Sequence, residues 1–189
     1  MTAEDAAAVN ALVPPELAGA FTFEVRTLDA GDGRARPRYT LVAPRGWTPG
    51  FLPGALENPA EATRSNSDGH NTVRVDRNCD GECRPKDWAK VVAAVEYAQY
   101  LDGQVPGTIV KDDVQATSRT MVFQRDQTIT RAGDTTSTTG TKERVVIHTW
   151  WTPGASAYHS CVATTANDTT ALAAAWERAC AKVAVEQAD

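Results

Sequence analysis

Residues 75–88 read V-D-R-N-C-D-G-E-C-R-P-K-D-W, a stretch whose side chains could hold a metal ion. Asp76, Asn78 and Asp80 are spaced two apart and Gly81 follows at once, which is the opening of a calcium loop of the EF-hand kind. Continued over the full loop, Glu82 supplies its backbone carbonyl and Asp87 falls on the closing position. Ca2+ favours such a set of hard oxygen ligands. The stretch also departs from that pattern. A strand rather than a helix is expected to lead into it, Asp87 is shorter than the usual bidentate Glu, and Pro85 stiffens the exit. The same residues are good turn formers, and Cys79 with Cys83 can clamp a turn. The clamped turn is the preferred reading and a structural calcium site the alternative; the two are compatible. Zinc is disfavoured, because Cys79, Cys83 and His70 lack the second half of a zinc motif.

Four cysteines allow three pairings. Cys161 falls in an expected strand, and Cys180 on the apolar side of a helix expected to fold back over it. That spacing fits a Cys161–Cys180 disulfide, with Cys79–Cys83 as the remaining pair. An even cysteine count of this kind suits an oxidising compartment. The reading is therefore an extracellular or cell-envelope protein, a mature chain whose leader precedes Met1.

Catalytic machinery is harder to find. Of three histidines, His148 and His159 lie on strands expected to pair, and either could serve a hydrolase together with an Asp. Asp112, Asp113 and Asp126 are the carboxylates nearest to such a role. No G-x-S-x-G elbow, H-E-x-x-H helix or phosphate-cradling glycine loop occurs. Sheet histidines are more often structural, so a non-enzymatic protein is preferred. The aromatic residues point instead to protein binding. Trp47, Phe51 and Leu52 sit in a long loop, and the adjacent Trp150 and Trp151 must point to opposite faces of a strand. The preferred reading is that the long loop and a helix cover both tryptophans; otherwise these residues make a candidate partner-binding surface.

These residues need elements to position them. A helix is expected over 3–12, within an N-terminal arm of residues 1–20. Residues 21–189 then form a single domain. Alternation and β-branched content predict strands at 21–28, 39–43, 72–75, 108–114, 119–130, 143–151 and 157–163. Residues 44–71 read as a long Pro/Gly-rich loop, and 133–142 as a hydrophilic hairpin tip. A helix is expected over 85–101, opened by Pro85, and another over 169–185, capped by Asn167 or Asp168. The sum is α+β: an antiparallel sheet of about six strands packed by a mid-chain helix and a C-terminal helix.

The 189 residues carry 19 Lys and Arg against 24 Asp and Glu, a net charge of −5. With no basic cluster, nucleic acid is a poor partner. No apolar run is long enough for a transmembrane helix. The segment R-Y-T-L-V-A-P-R-G-W (residues 38–47) resembles a strand and corner of the PsbP/Mog1-like fold. The ending H-T-W-W-T-P-G-A-S-A-Y-H-S-C, with A-L-A-A-A-W-E-R-A-C after it, is similar to that fold's last hairpin and closing helix. The resemblance, as in exported actinobacterial lipoproteins, spans residues 21–185. It implies a sheet between helices and members that mostly bind partners; it carries over no catalytic residue. The functional expectation is an exported, non-enzymatic protein-binding module, of which an immunity or toxin-neutralising protein is one version. A hydrolase and a calcium-stabilised envelope or adhesion domain are the alternatives.

Overall fold

The alternating segment F-E-V-R-T-L forms β1 (Phe23–Leu28), antiparallel to β2 (Arg38–Pro44). These belong to a computed structural model of the chain that describes residues 1–28, 38–46, 48–49, 60–66, 69–78, 107–131, 135–152 and 158–186. The expected helix 85–101 and the stretch 79–88 lie outside the described residues. A third strand, β10 (Ala184–Glu186), pairs with the other edge of β2, so Val185 stands opposite Tyr39.

The second sheet is larger. It contains β3 (Thr48–Pro49), β4 (Ala60–Asn66), β5 (Gly69–Asn78), β6 (Thr108–Val114), β7 (Ser118–Arg131), β8 (Thr135–Trp151) and β9 (Tyr158–Ala166). Its order is β3-β4-β5-β9-β8-β7-β6, with every pairing antiparallel. The α+β class expected from sequence holds, but about six strands in one sheet become ten described strands in two sheets.

Three expectations fail for identifiable reasons. Residues 44–71 contain β3, β4 and the start of β5 rather than one long loop. There A-E-A-T-R-S-N lacks the apolar alternation that marks a strand, and it gains its backbone partners from β5. The run expected as a hairpin tip at 133–142 belongs mostly to β8, where Thr138 opposes Thr128 and Thr136 opposes Thr130. Threonine is β-branched, so such a run favours extended backbone despite its polarity. Finally, the expected helix 169–185 is divided. A 3-10 turn (Asn167–Leu172) precedes α2 (Ala173–Cys180), and the chain is extended again by Ala184. The Thr169 hydroxyl donates to Asn71 Oδ1 at 2.8 Å, drawing the start of this segment onto β5. Val183 and Val185, both β-branched, suit the return to strand.

The helix α1 (Ala3–Asn10) is closed by a capping box between Thr2 and Asp5. Expected as part of an arm, it buries Ala6 and Val9 in the same core as both sheets. The Asn10 amide accepts from Phe23 N at 2.7 Å and donates to Phe23 O at 2.9 Å, so it acts as a one-residue strand partner for β1. In that core Phe23 meets Trp176 edge-on, with ring centroids 4.9 Å apart. Leu41, Val75, Val146 and Leu172 complete the contact between the sheets and α2. On the opposite face of the large sheet, Met121, Phe123, Val145, Ile147 and Val162 form a second buried cluster.

Cys161 and Cys180 are joined by a disulfide, with Cα atoms 5.4 Å apart and a sequence separation of 19. In the chain-entropy model a loop of that size is worth about 3 kcal/mol. The double substitution Cys161→Ala with Cys180→Ala should therefore lower the unfolding free energy by about 3 kcal/mol in a denaturant titration. An unchanged midpoint would mean that burial alone holds α2 in place.

Candidate functional site

Two rows of side chains cross the core-facing side of the large sheet at one end. Register places Asp113, Thr120, His148, Cys161 and Val75 side by side on β6, β7, β8, β9 and β5. The next row is Ser118, Trp150 and His159. Period-two alternation puts His148 and Trp150 on one face and leaves Trp151 on the other.

The rings stack. His148 lies 5.6 Å from Trp150 with planes inclined by 23°, and Trp150 lies 5.5 Å from His159 with planes inclined by 24°. Each imidazole is also fixed at its Nδ1. His148 shares a hydrogen bond of 2.8 Å with the Thr120 hydroxyl, and His159 one of 3.2 Å with the Tyr39 hydroxyl. Tyr39 comes from the small sheet and also meets His159 edge-on at 5.8 Å. Both histidines are buried, whereas the indole between them is only half-buried against the core. The result is a Trp ring held between two imidazoles, with part of its surface toward solvent.

Burial makes the charged form of His148 costly and pulls its pKa from 6.5 to about 4; Asp113 pushes weakly the other way. At neutral pH His148 is therefore an uncharged packing group and a weak base. The candidate carboxylates are engaged elsewhere. Asp112 accepts two hydrogen bonds from Arg119, both of 2.8 Å, which holds its pKa below the usual carboxylate range. Asp126 pairs with Lys142, and Asp113 accepts from Gln115 Nε2 at 2.7 Å.

Of the residues singled out by sequence, the structure brings together His148, His159 and Trp150. It also joins Cys161 to Cys180. Trp151 is half-buried on the opposite face, and its backbone N–H donates to Thr117 O at 2.9 Å. Trp47, Phe51, Leu52, Cys79, Asp80, Glu82, Cys83 and Asp87 lie outside the described residues. Asp76 and Asn78, the first two positions of the candidate calcium loop, have backbones paired in β5, opposite Ser160 and Tyr158. Extended backbone at those positions differs from the curled start of an EF-hand loop. Sequence reasoning missed Tyr39 and Thr120. Tyr39 stands 120 residues from His159, and only the packing of the two sheets joins them.

Compared with protein-family models and with curated proteins, the chain matches none. Among the described residues, no helix is long and apolar enough to cross a membrane.

The buried imidazole has a measurable consequence. An unfolded His148 takes a proton near 6.5, and the folded one resists until about 4. The stability it contributes is whole above pH 6.5, falls as the pH drops toward 4, and amounts to about 3 kcal/mol across that window. In urea titrations from pH 7 to pH 4, His148→Gln should show a flatter decline than the parent. Parallel declines would mean that the imidazole is protonated equally easily in both states.

Proposed function

We propose that this chain is an exported, disulfide-braced protein-binding module whose anchor is Trp150. The observation that supports this most is the His148–Trp150–His159 stack. A tryptophan that is held in place before binding and partly exposed loses little entropy on docking, and such residues dominate protein interfaces. The Cys161–Cys180 disulfide favours an oxidising compartment, and hence export. The net charge of −5 suits a basic partner, so an immunity or toxin-neutralising protein is a concrete version.

The hydrolase alternative needs an accessible base of suitable strength. Both imidazoles are buried and bonded through Nδ1, and His148 is too weakly basic for efficient proton abstraction at neutral pH. A calcium-stabilised envelope or adhesion domain is the remaining reading, resting on Asp76, Asn78, Asp80, Glu82 and Asp87.

A photo-crosslinking amino acid at Ser118, opposite Trp150 in the sheet, tests the reading in the producing cell. One discrete protein adduct is expected, and Trp150→Ala should remove it while the circular dichroism spectrum stays native. Absence of an adduct, together with hydrolytic turnover abolished by His148→Gln or His159→Gln, would replace this reading with the hydrolase.

A further inference from the structure

Among the described residues the strand β6 ends the large sheet, and all seven of its residues are exposed. Ile109 is 44%, Val110 52% and Val114 63% exposed, so three of the four exposed large hydrophobics among the described residues fall on this one strand. The backbone phase of the strand is fixed by Gln115 N, which donates to Ser118 O at 2.7 Å. Antiparallel pairs alternate, so Asp113 and Lys111, in register with Thr120 and Val122, likewise turn their backbone groups toward β7. Asp112 and Val114 turn theirs away from the sheet. An outer strand with apolar side chains and outward N–H and C=O groups is a template for another strand.

We propose that the occupant of this edge is β6 of a second copy of the chain, paired antiparallel about a two-fold axis through Asp112. Directly opposed residues in a sheet share a face, so such an axis must pass through a residue position rather than between two. Three centres are available along the polar part of the strand, and the charges separate them. Centring on Lys111 sets Lys111 against its own copy and Val110 against Asp112. Centring on Asp113 sets Asp113 against its own copy and Lys111 against Gln115. Centring on Asp112 sets Lys111 against Asp113 twice and Val110 against Val114 twice. Opposite charges and branched apolar pairs are both favourable across strands.

The one like-charge contact in that register is Asp112 against itself. There each carboxylate is already gripped by its own Arg119, and burial of the pair is limited by the open faces of the edge. The irregularity between Ile109 and Lys111 ends the clean pairing near Val110. The shared ladder is therefore short, and the dimer is weak and concentration-dependent. It extends the seven-stranded sheet across both copies and leaves the Trp150 site of each untouched.

Sedimentation velocity of the full chain over a concentration series tests this directly. A monomer–dimer equilibrium is expected, and Val114→Lys should return it to monomer without changing the melting profile. Oxidation of Asp112→Cys should trap a dimer cross-linked between the two copies of position 112, because directly opposed strand residues lie within disulfide reach. Single cysteines at Lys111 or Asp113 should not self-link in this way. A monomer at every concentration would overturn the proposal, as would a dimer insensitive to Val114→Lys. Cross-linking through position 111 or 113 instead of 112 would overturn the register. Occupancy of the edge by a segment of a different protein, in place of the second copy, would overturn the choice of partner.

Discussion

The α2 helix is eight residues long, too short to persist in water by its own hydrogen bonds. Its position depends on being pressed into the core and tied there. Trp176 is fully buried against Phe23 of the small sheet, and Cys180 is bonded to Cys161 of the large one. One helix thus carries contacts to both sheets. Because the chain leaves α2 close to the disulfide, β10 can return along β2 and complete the small sheet. Lys111 and Glu177 add an ion pair that ties β6 to the same helix from its outer side. Without the tether, the C-terminal segment would have to hold both sheets by burial alone.

The tether also bears on the ring stack. β9 carries His159 and Cys161 two residues apart, so both share the face covered by α2. Cys161 stands opposite His148, and His159 opposite Trp150. The two imidazoles, the indole and the disulfide form one contiguous patch of the core-facing side. Tyr39 closes this patch from the small sheet. Within it the Nδ1 atom of each imidazole is paired, that of His148 with the Thr120 hydroxyl and that of His159 with the Tyr39 hydroxyl. Ring stacking and these hydrogen bonds hold the side chains of the patch around Trp150.

Much of this was legible in the residues. The strand at 108–114 is found with those bounds, the strand at 143–151 lies within a longer one, and the strand expected at 157–163 is found as Tyr158–Ala166. Their alternating or β-branched patterns are local signals. The Cys161–Cys180 pairing followed from placing one cysteine on a strand and the other on the apolar side of a returning helix. The opposite facing of Trp150 and Trp151 followed from strand period alone. What the sequence hid was decided by distant partners. The threonine-rich run of β8 looks like a hydrophilic tip until the matching threonines of β7 are set against it. The division of the last helix depends on Thr169 meeting Asn71 across the fold. The small sheet, and with it the role of Tyr39, required knowing that the chain's last described strand returns to β2.

The link between α2 and β9 is the constraint that holds the C-terminal segment on both sheets. Peptide mapping by mass spectrometry, on protein purified and digested without reductant, reads it directly. The predicted result is one cross-linked species joining the peptide of Cys161 to that of Cys180. Free thiols at these positions, or Cys161 joined to Cys79 or Cys83, would contradict it and remove the constraint on which both sheets and the ring stack depend.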